Sequence, residues 1–303
     1  KDIIDQVIWL RLSQLLVNDR YKKGEFKIPI HLALGHEAVA VAIDIFVGET
    51  DTLFLSHRNI HFNLIRMGSL KEALDEYSLK SHGLANGTLG SMNLCNLDRN
   101  VVYSSSILGN NLSVATGYAL GNKAKSPKPG VVIVQTGDGA IEEGSFMESL
   151  LFASSHQLPL IFLVENNEWS LGTQIADRRC DIDLQKLGAS FGIEHHILQG
   201  NDVFEYIEYF SSIRNAQHQM EGPIIVEVKL TTLGYWYKQD GDRTEKKFIN
   251  YHAGPANELQ IANYPIIVNS DEDPLFLLLN HQDQESLELT SARILESLKK
   301  EIH

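Results

Sequence analysis

The chain has 303 residues, 43% of them apolar and 21% charged, which is ordinary for a globular protein built on one large domain. A formal charge of −13 excludes a nucleic-acid partner on electrostatic grounds, because a polyanion would be repelled. No stretch reaches the roughly 18 uncharged apolar residues that a membrane span needs.

In chain order, residues 1–22 are expected to be helical, with Ile4, Ile8, Leu12 and Leu15 on one face. This charged, amphipathic start differs from a signal peptide. Residues 34–46 read as an apolar helix after Pro29, residues 53–55 as a short strand and 70–79 as a helix. Residues 83–96 form a loop rich in glycine and asparagine. Residues 110–125 read as a helix rich in small residues, among them Ser113, Ala115, Gly117 and Ala119, a face that suits a close subunit contact. Cys95 and Cys180 have neither metal nor disulfide spacing, so a reducing, cytoplasmic location is expected.

Residues 131–135 read as a strand whose first four residues are β-branched, the pattern of a parallel strand covered on both faces. Residues 142–156 read as a crossover helix with Phe146, Leu150 and Ala153 on one side, and 160–164 as the next strand, completing a βαβ unit. The pair His195-His196 reads as a surface or strand-edge feature rather than a zinc site. A helix over 202–217 leads through Gly222-Pro223 to a strand at 224–228, and a helix over 285–302 closes the chain. Residues 235–270 are polar and aperiodic, as expected of a long functional loop. The alternation predicts an α/β fold over 1–303, a doubly wound parallel sheet with helices on both faces.

The strongest chemical signal lies between Thr136 and Asn167. Gly-Asp-Gly at 137–139 closes the first strand of the βαβ unit and Asn166-Asn167 closes the second. Ligands of open α/β sheets sit beyond the carboxyl ends of the strands, so Asp138 and Asn167 are expected to approach one another. Magnesium takes six hard oxygen ligands and usually keeps phosphate oxygens among them. A carboxylate, an amide oxygen, a backbone carbonyl and two diphosphate oxygens nearly fill that shell. Gly137 and Gly139 let the backbone pass close to a diphosphate. A dinucleotide fingerprint fits worse, because Gly144 stands two positions late and Glu142 and Glu143 would repel a phosphate.

This segment resembles the thiamine diphosphate motif, GDG followed by a helix, a strand and NN. The flanks are similar to the α subunits of 2-oxo acid dehydrogenase E1 components. ENNEWSLGT at 165–173 resembles that family's ENN stretch, and HLALGHEAVAVAI at 31–43 its H-x-x-x-GQEA segment. LSHRNIHFNLIRMG at 55–68, GTLGSM at 87–92, the helix start at 106–117 and DEDPLFLLL at 271–279 also find collinear counterparts. The resemblance implies a thiamine diphosphate-binding fold. It implies magnesium on Asp138, Asn167 and the Trp169 carbonyl, and diphosphate on the Gly139 and Ala140 amides. His57 and Arg58 would reach the diphosphate from the other side, and Ser106 and Leu108 would touch the aminopyrimidine through their backbones. His31 would be a catalytic histidine near the cofactor. The implied assembly is an α2β2 heterotetramer in which a β subunit carries the pyrimidine half of the site.

Three histidines of the family pattern are missing. LTTLGYWY at 230–237 lacks the histidine of the family's Arg-x-His-Gly-His loop, Ile60 replaces a second, with His61 shifted by one, and Asn93 replaces a third. His252, in the polar stretch, is the substitute expected to close onto the cofactor. The implied reaction is decarboxylation of a 2-oxo acid with transfer of the acyl unit, to a lipoyl acyltransferase in the family pattern. The missing histidines leave two other readings, a transketolase-like carboligating transferase and a non-catalytic α-like subunit.

Overall fold

The computed structural model describes residues 2–216, 222–239, 246–256 and 259–303. The chain opens with α1 (Ile3–Lys22), capped by the Asp2 carboxylate, which accepts the N–H of Ile4 at 2.8 Å. Then come α2 (Glu37–Phe46), β1 (Thr52–Leu55), α3 (Ile60–Met67), α4 (Leu70–Tyr77), β2 (Val101–Ser104) and α5 (Asn110–Lys125). The βαβ unit follows as β3 (Val132–Gly137), α6 (Gly144–Ser155) and β4 (Leu160–Asn166). A small antiparallel hairpin, β5 (Trp169–Ser170) and β6 (Thr173–Gln174), leads into α7 (Ile175–Arg178) and α8 (Leu184–Ser190). The chain continues through β7 (Glu194–Leu198), α9 (Val203–Ala216) and β8 (Ile224–Lys229). It ends with β9 (Tyr235–Gln239), β10 (Lys246–Asn250), α10 (Pro274–Leu277) and α11 (Gln284–Ile302).

Six strands form one parallel sheet in the order β2-β1-β3-β4-β8-β7. Its central strands are apolar on both sides because each side faces a separate core. Val132, Val134, Phe162 and Val164 pack with Leu112 of α5 and Phe146 and Leu150 of α6. Ile133, Ile161 and Leu163 point the other way, into the core filled by α1, α2, α3 and α9. This is the doubly wound arrangement expected from the alternating pattern. No described helix is long and apolar enough to cross a membrane.

Several expectations are corrected. The helix expected over 34–46 starts at Glu37, because Gly35 sits at φ +93° and turns the chain before it. α3 is an additional helix, and all its residues except Arg66 are buried, so its polar His61 and Asn63 lie in the interior rather than on a solvent face. β7 lies at the sheet edge and reads as polar, which hid it as a strand but agrees with the edge reading of His195-His196. The small residues of α5 do not share a face: Ala115 and Ala119 pack inward, while Ser113 and Gly117 face outward. The polar stretch at 235–270 is not a simple loop but contains the antiparallel hairpin β9–β10, with Tyr235 opposite Asn250. The last residue of the helix expected over 202–217 lies outside the described residues.

Candidate active site

A cleft opens at the carboxyl ends of the central strands. β1 leads into Ser56, His57 and Arg58, and the turn after β2 supplies Ser105, Ile107 and Leu108. β3 delivers Gly137, Asp138, Gly139 and Ala140, and β4 delivers Glu165, Asn167 and Trp169. His252 completes the wall from beyond the β9–β10 hairpin. Asp138 and Asn167 thus face the same space because β3 and β4 are paired in register through Gly137 and Glu165.

Asp138 is 2% exposed, and burial raises its carboxyl above the usual range against the pull of Arg178. Arg178 Nη2 lies 2.8 Å from Asp138 Oδ2. The Asn167 amide is oriented at both ends: Nδ2 donates to Thr232 Oγ1 at 2.7 Å, and Oδ1 accepts the Trp169 N–H at 3.1 Å. Gly139 is required by packing, since a Cβ there would stand 2.5 Å from Ser170 Oγ. The β5–β6 hairpin therefore lies directly on the Gly-Asp-Gly turn.

On the opposite wall three imidazoles meet. The ring of His31 lies 4.8 Å from that of His57 and 5.0 Å from that of His252, centroid to centroid. His31 does not itself line the cleft but backs the two that do, and its buried Nδ1 has no hydrogen-bond partner. Burial first, and then the Arg58 charge, lower all three: His31 to about 2, His57 to about 3 and His252 to about 4. All are neutral at neutral pH.

His252 comes from a segment with little local pattern, and tertiary bonds explain its position. Tyr251 Oη donates to the Gly254 carbonyl at 2.7 Å and accepts the Leu32 N–H at 3.3 Å. Asn250 Nδ2 donates to the Thr232 carbonyl at 2.8 Å. Arg58 then spans both segments, donating from Nη1 to the Leu32 carbonyl and from Nη2 to that of His252.

Glu165, Gln135 and His36, which line the cleft, belong to a buried network that sequence reasoning missed. Glu165 Oε1 is 2.8 Å from His61 Nε2 and 3.1 Å from His36 Nδ1, and Oε2 accepts a bond from the Gln135 amide. His36 Nε2 is 2.8 Å from Thr232 Oγ1, which also receives Asn167. Burial alone would raise the Glu165 carboxyl, but His61 and His36 hold it well below the usual range. Gln135 in an otherwise apolar strand was the one local signal of this network. His61 is fully buried on Glu165 rather than in the cleft.

Most of the expected site residues converge: His57, Arg58, Leu108, Asp138, Gly139, Ala140, Asn167 and Trp169 line the cleft, as does His252. Ser106 does not. It is exposed, and its N–H is taken by Asn93 Oδ1 at 3.0 Å, so Ser105 and Ile107 stand at the wall instead. The asparagine that replaces a family histidine thus organises this turn.

Comparison with known proteins agrees with the geometry. The family model for the dehydrogenase E1 component matches residues 11–252. The pyruvate dehydrogenase E1 component subunit alpha of Rickettsia conorii is 34% identical over 226 residues, covering 74% of this chain and 68% of the relative. Its chloroplastic counterpart alpha-3 in Arabidopsis thaliana is 28% identical over 232 residues, 75% of this chain and 54% of the relative. Among solved structures, a transketolase from Pichia stipitis superposes with a TM-score of 0.60 at 17% identity over 99% of this chain. A transketolase from Campylobacter jejuni gives 0.57 at 16% identity over 99%. The chain spans under half of these transketolases, 45% and 48%, and the likeness concerns the fold.

Proposed function

This chain belongs to the dehydrogenase E1 component family, and from that premise we propose that it is the α-like subunit of a thiamine diphosphate- and magnesium-dependent enzyme that decarboxylates a 2-oxo acid and passes on the acyl unit. The observation that carries the proposal is the convergence of Asp138, Asn167, Gly139 and Arg58 in one cleft at the strand ends. The donor set suits the cofactor: a carboxylate, an amide oxygen and the Trp169 carbonyl are hard ligands for magnesium. The Gly139 and Ala140 amides and the Arg58 guanidinium suit a diphosphate. When bound, thiamine diphosphate supplies a nucleophilic carbon and an electron sink for the pair left by loss of carbon dioxide.

The remaining work falls to the chain itself. Thr232 holds the Asn167 amide by its nitrogen, and the carbonyl oxygen, which accepts the Trp169 N–H, would offer its second lone pair to the metal. Leu108 meets the aminopyrimidine from the turn after β2. His252, at the cleft wall, would be the histidine facing the reacting centre, with His31 stacked edge to face behind it as its support. His57 reaches the diphosphate side together with Arg58. The pyrimidine half of the site belongs to a β subunit, most simply in an α2β2 assembly. α5 and α6 expose Tyr118, Leu151 and Phe152 for such a contact. A cytoplasmic location accords with two free cysteines, one of them exposed.

Calorimetry on the chain co-expressed with its β partner tests the proposal. Thiamine diphosphate with magnesium should bind, and Asp138→Ala should weaken binding by about 100-fold, in line with loss of a buried charged ligand. Binding that ignores Asp138 would sink the reading. One observation favours a transketolase-like second reading: the stretch after β8, LTTLGYWY, carries no histidine where the family pattern has them. Acylation of a lipoyl domain separates the two, because only the first reading requires it.

A further inference from the structure

The metal carboxylate of the proposed site already has a cationic partner in this chain. Arg178, at the end of α7, places Nη2 2.8 Å from Asp138 Oδ2 and 2.9 Å from Glu142 Oε1. Its Nε lies 3.0 Å from the same Glu142 oxygen, and Nη1 donates to the Thr173 carbonyl at 2.9 Å. A Cβ on Gly139 would stand 3.9 Å from Nη2, so the guanidinium lies beside the Gly-Asp-Gly turn. Arg178 is therefore shared between two carboxylates, one at the bottom of the cleft and one at its rim.

We infer that Arg178 competes with the divalent cation for Asp138 and thereby sets the metal affinity of the site. This inference rests on the magnesium assignment above. A carboxylate that bonds a guanidinium through one oxygen and a metal through the other must hold two cations within a few ångströms, which costs free energy in a buried setting. Glu142 is the release: each bond it makes to Arg178 draws the guanidinium off Asp138. Arg179 also binds Glu142, at 2.9 Å, but makes no hydrogen bond to Asp138. Arg178 and Glu142 should thus push metal affinity in opposite directions, with Arg179, which reaches Asp138 through its charge alone, as the weaker comparison.

Mn2+ titrated into the full chain, with the free ion counted by electron paramagnetic resonance, tests this without any turnover. Arg178→Gln keeps a polar side chain but removes the charge and should tighten Mn2+ on the order of tenfold. Arg178→Lys should stay near the parent value. Glu142→Gln should weaken Mn2+ by a few-fold, since Arg178 is then left to Asp138 alone. Arg179→Gln should change affinity far less than Arg178→Gln. Thermal melts establish that each variant is folded before it is titrated. Equal or weaker Mn2+ binding by folded Arg178→Gln would overturn the competition while leaving the metal centre standing. Mn2+ binding that survives Asp138→Asn in every background would remove the metal centre itself, and the competition with it.

Discussion

Two imidazoles and one guanidinium stand at the wall of the cleft with a third imidazole, His31, behind them, and their mutual effect is a matter of single residues. Burial and the Arg58 charge favour the neutral form of His31, His57 and His252 in the folded protein. In the unfolded chain each returns to about 6.5. Above that value neither state binds these protons, and their contribution to stability is complete. As pH falls below about 6.5 the unfolded chain takes up protons that the folded one refuses, so stability declines toward the folded values of about 4 and below. Melting temperatures between pH 7.5 and 5 should drop with acidification, and the drop should be shallower in His57→Gln/His252→Gln. An identical slope in that variant would refute the assignment. Of the residues in this wall, His57 and Arg58 were readable from a local motif. His252 was expected to close onto the cofactor, although its segment has no local pattern that would fix its position, and it stands at the cleft wall.

At the scale of elements, the site depends on how the α2 entrance and the end of β8 meet. Gly35 lies at φ +93°, and a Cβ there would stand 2.2 Å from the Thr231 carbonyl oxygen. That contact is backbone against backbone, so no side chain is able to yield. The turn also presents His36 to Thr232 and sets Glu37 to accept the Gly35 N–H at 2.8 Å. Gly35→Ala should cost about 3 kcal/mol or more in urea unfolding, from left-handed strain plus the collision. A loss under about 1 kcal/mol would mean that the turn relaxes freely. The start of α2 was misplaced by three residues because Leu34 stands at helical spacing from Ala38 and Val41 across the turn. The hairpin β9–β10 was missed for the opposite reason, since charged residues break its apolar alternation. Its consequence is local: it returns the chain so that Tyr251 docks on Leu32 and His252 faces His31.

Across the whole molecule, one buried ion cluster joins the two ends of the chain. Arg11 of α1 bonds Glu37 at 2.7 and 3.0 Å and Asp273 at 2.9 and 3.2 Å, and donates to the Pro265 carbonyl at 3.0 Å. All three charged side chains are 0% exposed. Arg11→Ala would leave two carboxylates buried without their cation and should cost about 3–5 kcal/mol in chemical denaturation. A shift below about 1 kcal/mol would show that water enters and replaces the guanidinium. None of this was legible locally, because the partners lie 26 and 262 positions apart. The parallel sheet, the βαβ unit and the pair Asp138 and Asn167 were determined by the sequence itself, because each rests on short-range periodicity and on strand ends about thirty residues apart. Only the tertiary structure decided that Glu165 joins His36 to His61, that His252 comes to rest on His31, and that Arg178 reaches Asp138. Those contacts depend on where separate elements come together, and buried polar groups far apart in the chain find their partners only when the core has closed around them.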